Sequence, residues 1–354
     1  MVLIFLGAGA STPFGYPAME ELQNRIHQRL EDRERDLLSI LPPVVGDKDA
    51  EVILQHLAAI ENLSQRGLDR LFQKSRVTAS YSSPTEVSFK GFVERCRSLE
   101  ETIKDTIFNV YQFLPECESG FHLYSNLFSI ISQKSGAKEQ YVYTTNYDRV
   151  IEEFCQRREG FQIRDGYEHD SKTGLNLWKP SSFGAPFTTD TVPVRLFKLH
   201  GSLNWKDGEY GPERISPEIR LKQPTTMLKK DLLIYPGSKD PPEQEPFRTL
   251  YERFETQMKE NDRCLAIGFS FRDPYLNRIF RDYVNSGKGQ LLVMSRNCKQ
   301  TVATNLLGLR DVAGLDRYLE SNSIALIPCH FGVDDWTVAL NNTLMKIPFP
   351  VERP

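Results

Sequence analysis

Short apolar runs that end in small polar residues recur along this chain of 354 residues. Four endings stand out: Gly7–Ser11, Asn146–Asp148, Gly268–Ser270 and Ser295–Asn297. Uninterrupted apolar runs of roughly four to eight residues are typical of strands that are buried on both faces of a sheet. Segments with the apolar spacing of helices separate these runs, and strands that alternate with helices build parallel sheets. We therefore predict an α/β fold with a mostly parallel sheet and helices on both faces.

The four endings are expected to meet at one edge of the sheet, where open α/β proteins bind their ligands. Gly7 and Gly9 end the first strand, Val2–Leu6, and glycines there let backbone amides approach a pyrophosphate. The complete dinucleotide fingerprint needs a third small residue that opens a helix, but Thr12 and Pro13 take that place here. The edge is therefore predicted to bind a phosphate-rich nucleotide, and a dehydrogenase is disfavoured.

The second ending follows the apolar run Tyr141–Tyr143 and precedes a predicted helix, Asp148–Cys155. Asn146 and Asp148 are two residues apart, so an amide and a carboxylate could face one ligand. The alternative interpretation is a helix cap, for which Asn and Asp are among the preferred residues.

A histidine ends another apolar strand, at Leu199-His200-Gly201-Ser202. Imidazole titrates near neutral pH, which suits a general base at a strand end. The alternative is a buried structural histidine that bonds to a carbonyl. Gly201 would let the backbone come close to a ligand.

Composition excludes several classes of protein. Hydrophobic residues make up 40%, charged residues 26% and the net charge is −3, which is ordinary for a soluble globular chain and indicates no dedicated nucleic-acid surface. No apolar run is long enough to span a bilayer, and the apolar start lacks the basic region of a signal peptide. The six cysteines are scattered singly, so we expect neither disulfides nor a metal site, but a cytoplasmic protein.

The segment between the first two strands has helical spacing, and we predict one unit, 1–354, with a helical insertion at 19–137. Helices are expected at Ala50–Leu63 and Ser88–Phe113, with a polar loop at Ser75–Pro84 between them. The predicted sheet-forming core comprises 1–18, 138–157, 194–205 and 230–354. The rest, 158–193 and 206–229, is rich in turn residues and is predicted to be a loop-rich module.

The motifs in this order resemble the sirtuin superfamily, and in detail the bacterial sirtuin-like branch found in anti-phage defence systems. They are Gly7–Ser11, Thr145–Asp148, Leu199–Ser202 and Ile267–Ser270, and the resemblance runs from Val2 to about Asn297. It implies a Rossmann-like core that binds NAD+ as its substrate. It implies that Asn146 and Asp148 flank the nicotinamide ribose, that His200 lies over the ribose hydroxyls, and that these three residues are catalytic. The residues that it assigns to the phosphates and ribose are Gly7, Ala8, Gly9, Ser11, Gly268 and Ser270, with a looser match of Asn297 to the adenosine side.

The chain departs from the superfamily's protein deacylases, which carry a four-cysteine zinc ribbon after the histidine motif. Here no cysteine lies between Cys155 and Cys264, so the segment Trp205–Leu233 supplies no thiolate zinc site. The resemblance therefore implies an NAD+ hydrolase that releases nicotinamide and ADP-ribose or a cyclised product. In phage-infected cells such an enzyme depletes NAD+ and stops growth. Two alternatives stay open. One is an NAD- or ADP-ribose-binding sensor or assembly subunit without turnover, and the other is an NAD-dependent protein deacylase.

Relatives in this branch work beside a separately encoded HerA-type ATPase or an Argonaute-like protein. We expect the chain to form homo-oligomers, or to dock on such a partner, through its helical segment from Met19 to about Cys117. Ser75–Pro84 and Gly160–Thr191 are expected to act as lids. Because an unregulated NAD+ hydrolase would kill its host, the isolated chain is predicted to be latent.

Overall fold

The computed structural model describes residues 1–40, 53–54, 57, 89–112, 118–216, 231–234, 242–333 and 335–346. The predicted loop Ser75–Pro84 and most of the predicted helix Ala50–Leu63 lie outside this set. The chain divides into two compact units. The first comprises Met1–Ala18, Tyr111–Ile234 and Ser238–Pro354, and the second comprises Met19–Val110 with Tyr235–Gly237.

The first unit contains two sheets built from the twelve strands of the described residues. In chain order the strands are β1 Val2–Leu6, β2 Gln140–Thr144, β3 Phe161–Arg164, β4 Tyr167–His169, β5 Asn176–Trp178, β6 Val192–Lys198, β7 Gly201–Gly208, β8 Gly211–Arg214, β9 Asp231–Leu233, β10 Arg263–Ile267, β11 Gln290–Met294 and β12 Ile324–Ile327. The larger sheet has seven strands in the order β12-β11-β10-β1-β2-β6-β3, and every pairing in it is parallel. This confirms the predicted parallel, Rossmann-like α/β architecture.

The smaller sheet has five strands in the order β4-β5-β8-β7-β9, and its pairings are antiparallel. It divides the range 194–205, which the sequence assigned to the core, because Val192–Lys198 lies in the parallel sheet and Gly201–Gly208 in the antiparallel one. β3 falls within the predicted loop-rich module but pairs with β6 as the edge strand of the parallel sheet. Its burial is intermediate throughout, so it lacks the apolar run that marks the central strands.

Ten α-helices can be given bounds among the described residues: α1 Met19–Arg29, α2 Asp32–Ile40, α3 Phe89–Tyr111, α4 Glu118–Ser135, α5 Val150–Arg157, α6 Phe247–Glu260, α7 Pro274–Asn285, α8 Cys298–Thr301, α9 Asp316–Glu320 and α10 Trp336–Lys346. Several of them serve as crossovers between parallel strands. Within the part of the chain that the structure describes, none of these helices has both the length and the apolar content to cross a membrane.

Burial of the central strands explains why their sequences do not alternate. β1, β10 and β11 are buried at every position. Phe5 of β1 packs against Phe254, Phe269 and Phe280, with ring centroids 5.3, 4.8 and 5.0 Å away. Aromatic pairs at such separations add to the free energy gained by burying apolar area. These contacts fix β1 and β10 side by side in the middle of the sheet.

The second unit is helical in its described residues. Leu22, Ile26 and Leu37 from α1 and α2, and Leu99 from α3, are buried. The carboxylate of Glu34 accepts hydrogen bonds from the hydroxyls of Ser98 (3.1 Å) and Thr102 (2.8 Å).

The chain order of the parallel sheet creates a switch point beside β1. From β1 the chain continues to β2 on one side, and it later returns as β10 on the other side. Ligands of open α/β sheets bind in the crevice at the carboxyl ends of strands at such a point. The residues that follow β1 and β10 there are Gly7 and Gly268.

Candidate functional site

The site residues predicted from the sequence all follow strands of the parallel sheet, each at the carboxyl end of its strand. The residues are Gly7, Ala8, Gly9 and Ser11 after β1; Asn146 and Asp148 after β2; His200 after β6; Gly268 and Ser270 after β10; and Asn297 after β11. All of them therefore share one edge.

The glycines at the switch point bring two loops into contact. The Gly9 N–H donates to the carbonyl of Gly268 over 3.0 Å. A Cβ on Gly7 would lie 2.6 Å from the Cα of Phe269. Gly268 has φ of +61°, and a Cβ there would lie 2.5 Å from the Ala10 nitrogen. The glycines are thus required for the loops to pack together, and their predicted contacts with a nucleotide stay a prediction.

A chain of hydrogen bonds joins the glycine loop to the Asn146 loop. The Asn146 side-chain amide donates to the carbonyl of Gly7 (2.9 Å) and to Ser11 Oγ (2.8 Å). Ser11 Oγ in turn donates to Asp148 Oδ2 over 2.6 Å. Both amide hydrogens of Asn146 are therefore used, while its Oδ1 accepts no hydrogen bond from any described residue. Asn146 is partly exposed, so this oxygen can accept a hydrogen bond from a ligand or water.

Asp148 lies just before α5, and both of its oxygens accept hydrogen bonds from the protein. Its Oδ1 accepts from the Val150 N–H at the start of α5 (3.0 Å), in line with the helix-cap interpretation, and its Oδ2 accepts from Ser11. Its predicted contact with a ligand stays a prediction. The side chain is buried. Burial raises the pKa of Asp148 above its usual value, while the charge of Lys198 and the Ser11 hydrogen bond act in the opposite direction. Asp148 thus brings a carboxylate close to Asn146 in a poorly hydrated place.

A buried lysine lies beneath this loop. The Lys198 side chain is 1% exposed. Its ammonium group donates to the backbone carbonyl of Asp148, to Glu152 Oε1 (2.9 Å) and to Ser202 Oγ (2.8 Å). Three acceptors satisfy the three hydrogens of the ammonium group, so the charge is tolerated in the interior. Sequence reasoning missed this contact, because Lys198 only marked the end of an apolar strand.

His200 is held on two sides. Its backbone carbonyl accepts from the Ile234 N–H over 3.0 Å, just past β9. Its ring Nε2 lies 3.2 Å from Asp273 Oδ2, and the two side chains are 3% and 6% exposed. The other ring nitrogen, Nδ1, is buried and has no partner among the described residues. Unpaired buried polar atoms are unusual, and they often mark a site for a ligand or water.

Gly201 allows a close approach between two strands, and its predicted approach to a ligand stays a prediction. It has φ of +84°, and a Cβ there would lie 2.0 Å from the carbonyl oxygen of Leu232. The residue therefore lets the strand after His200 approach β9, where Gly201 pairs with Leu233. In this way the antiparallel sheet anchors the turn that carries His200.

Ser270 and Asn297 are exposed at the same edge. The carbonyl of Ser270 accepts from the Asn305 side chain over 2.9 Å, which fixes the loop after β10. Asn297 precedes α8, and its side chain makes no capping hydrogen bond. Their predicted contacts with the nucleotide stay a prediction.

Asp273 connects α7 to His200. Its Oδ1 caps the helix by accepting from the Leu276 N–H over 2.8 Å. The contact of its other oxygen with His200 was missed. One signal could have shown it, since Asp273 closely follows β10 and so belongs to the same edge as His200.

Metal ligands are not grouped in the described residues, where no cluster of three or more His, Cys, Asp or Glu side chains could hold an ion. The prediction of a metal-free site stays a prediction.

The family model of the SIR2-like domain matches residues 140–307. The match begins at the first residue of β2, includes Asn146, Asp148, His200 and Gly268, and ends before the last strand. No curated protein matches the chain. SIR2-like families are in general NAD-dependent enzymes, so an NAD-related activity is indicated. The match therefore identifies residues 140–307 as a SIR2-like domain and supports the resemblance to the sirtuin superfamily.

Proposed function

We propose that the protein is an NAD+ hydrolase that cleaves the bond between nicotinamide and ribose to give nicotinamide and ADP-ribose. The observation that carries the proposal is a pair of acceptors at one edge of a SIR2-like domain. They are the Asn146 Oδ1, which accepts no hydrogen bond from a described residue, and the buried Nδ1 of His200, which has no hydrogen-bond partner in the described part of the chain. Hydrolysis needs acceptors of this kind, because a water or a ribose hydroxyl must be oriented and must lose a proton.

The reaction places modest demands on the protein. Nicotinamide leaves with the electron pair of the broken bond and is then neutral, so no general acid is needed. The oxygen of a water molecule forms the new bond to the ribose carbon, and its proton passes to His200 as general base. Asn146 accepts a hydrogen bond from that water and so orients it. The two hydrogen bonds donated by the Asn146 amide hold this oxygen in place before substrate binds.

Asp148 supplies negative charge beside the reacting ribose. Positive charge develops on the sugar as nicotinamide departs, and a buried carboxylate interacts with such a charge more strongly than one in water. Because Ser11 and Val150 occupy both of its oxygens, we assign Asp148 an electrostatic and orienting role. Binding of the nicotinamide carboxamide by Asp148 is the alternative.

The absence of cysteine between Cys155 and Cys264 favours hydrolysis over protein deacylation, because the usual zinc ribbon has no ligands there. On the resemblance to bacterial defence proteins, we further propose that the activity depletes NAD+ in phage-infected cells. Its control is proposed to come from homo-oligomerisation or from a partner such as a HerA-type ATPase or an Argonaute-like protein.

The test is nicotinamide release from NAD+, followed by chromatography, for the wild type with and without candidate partners. Asn146→Ala is expected to abolish release, and His200→Ala to lower it on the order of a hundredfold or more. Asn285→Ala and His122→Ala, which alter exposed residues of the same two types, are the matched controls. Wild-type turnover in a folded Asn146→Ala protein would contradict the assignment. Tight NAD+ binding without turnover under every condition would instead indicate a sensor.

A further inference from the structure

We propose that Asp273 is a positioning residue that fixes the tautomer of His200, and that Nδ1 is therefore the nitrogen that accepts the proton. This inference rests on the proposed function. It adds a residue that neither the resemblance nor the family match assigns.

The first support is that the two carboxylate oxygens of Asp273 have different partners. Asp273 Oδ1 accepts the Leu276 N–H at the start of α7 (2.8 Å), and Oδ2 lies 3.2 Å from His200 Nε2. The helix contact fixes the plane and direction of the carboxylate, so its second oxygen is held toward the imidazole. A side chain that is 6% exposed has little freedom to turn away.

The loop that carries Asp273 is itself fixed. Asn305 donates to the carbonyl of Ser270 over 2.9 Å, and Asn277 donates to the carbonyl of Phe271. Phe271 has φ of +53°, an unfavourable conformation for a residue with a side chain. Strained residues of this kind persist only where their surroundings hold them, and they cluster at functional sites.

The second support is the state of the imidazole. A carboxylate can only accept a hydrogen bond, so Nε2 must carry the hydrogen that faces Asp273. In the neutral ring the lone pair then lies on Nδ1. That nitrogen is buried and without a partner among the described residues, and an unpaired buried acceptor is unfavourable. The penalty is removed when a water or a ribose hydroxyl donates to Nδ1.

The competing interpretation is purely structural. In it the His200–Asp273 contact only ties the turn after β6 to the loop after β10. Stability would then depend on the pair, but the position of the ring proton would not affect turnover. The two interpretations differ in what Asp273→Asn should do.

The substitution Asp273→Asn keeps the helix cap and reverses the tautomer. The amide oxygen of the new side chain can still accept the Leu276 N–H, and its NH₂ group then takes the place of the oxygen that faces His200 Nε2. An NH₂ group donates, so Nε2 must hold the lone pair and Nδ1 the hydrogen. We expect kcat for NAD+ cleavage to fall by a factor on the order of 10³ to 10⁴, as when a catalytic histidine is held in the wrong tautomer, with little change in KM. Asp282→Asn, an exposed change on the same helix, is the control.

A second readout does not depend on activity. The ¹⁵N chemical shifts of the ring nitrogens report which nitrogen carries hydrogen, and His200→Ala identifies the His200 signals among the six histidines. The wild type is expected to show the Nε2–H form and Asp273→Asn the Nδ1–H form, with unchanged circular dichroism.

Two results would overturn the inference. One is an Nδ1–H tautomer in an active wild type. The other is wild-type kcat in an Asp273→Asn protein whose tautomer has reversed. A wild type that shows the Nε2–H tautomer but never cleaves NAD+ would contradict the proposed function. It would still support the inference that Asp273 fixes the tautomer of His200.

Discussion

Ser11 and Asp148, 137 positions apart in the chain, are joined by a 2.6 Å hydrogen bond between the serine hydroxyl and the carboxylate. The bond connects the loop after β1 to the loop after β2, which are neighbouring strands. Asn146 donates to the same hydroxyl, so one serine oxygen orients both candidate catalytic side chains of the second loop.

Ser11→Ala is therefore expected to lower NAD+ turnover and to destabilise the fold. Asp148 Oδ2 loses its donor, and leaving a buried acceptor unpaired costs about 1–3 kcal/mol. Urea unfolding and nicotinamide release measure the two effects. Ser135→Ala, whose hydroxyl donates to a carbonyl within α4, is the control. Equal loss of turnover in both variants would argue against a specific role for Ser11.

Gly268→Ala is expected to destabilise the protein more than Gly287→Ala. Both glycines have positive φ, +61° and +65°, so each substitution incurs the cost of the left-handed conformation, about 1–2 kcal/mol. Only at Gly268 does the new Cβ meet backbone, 2.5 Å from the Ala10 nitrogen, whereas nothing lies within 4 Å of it at Gly287. Urea unfolding of the two variants measures the difference. Equal losses would show that the two loops can move apart without cost.

The sequence predicted the parallel sheet because apolar runs, strand-end glycines and helical spacing are local signals. For the same reason it predicted that Asn146 and His200 lie at one edge. It missed the paired use of Asp273 and the ammonium contacts of Lys198, because these join residues 73 and 50 positions apart. A side chain's partner across such a separation depends on the strand order, which no local pattern contains.

The positions of β3 and β7 also differ from the prediction because they depend on the strand order. β3 has only intermediate burial, and its place beside β6 follows from the sheet order. The strand Gly201–Gly208 directly follows β6 in the chain but leaves the parallel sheet, because the positive φ of Gly201 lets the backbone turn against β9. A glycine after a histidine is compatible with such a turn and equally with a ligand contact.

Lys198→Met is expected to destabilise the protein by about 3–5 kcal/mol, the usual cost of removing one member of a buried ion pair. The thioether cannot donate to Glu152 or to the carbonyl of Asp148, so both acceptors lose a partner. Thermal and urea unfolding measure the loss, and Lys138→Met, at an exposed lysine, is the control. Recovery of stability in the double variant Lys198→Met/Glu152→Gln would identify the unpaired carboxylate as the cause. A loss as small as that of the control would contradict the prediction.

Asp148→Asn is expected to change how stability depends on pH. Because burial raises the folded pKa of Asp148 above the usual 3.8, the folded state binds this proton more tightly than the unfolded state does. The carboxylate imposes no penalty below pH 3.8, a growing one as pH rises through the raised pKa, and a constant one above it. The stability of Asp148→Asn relative to the wild type should therefore increase with pH over this range.

Urea unfolding at a series of pH values measures that difference. A relative stability of Asp148→Asn that falls as pH rises would mean that Lys198 and Ser11 outweigh burial. Activity is a separate readout, because Asp148→Asn removes the negative charge that the proposed mechanism uses and should lower kcat.

The isolated chain is expected to be latent and to be activated by assembly. NAD+ is shared by the whole metabolism of a cell, so a hydrolase that is always active would harm the cell that makes it. Turnover per chain should therefore rise with protein concentration if homo-oligomers are the active form, or on addition of a HerA-type or Argonaute-like partner. Sedimentation at the same concentrations shows whether assembly and turnover change together. The His200→Ala chain, mixed with the same partner, shows that any turnover comes from this protein. Full, concentration-independent turnover in a dilute monomer, with no response to a partner, would rule out latency.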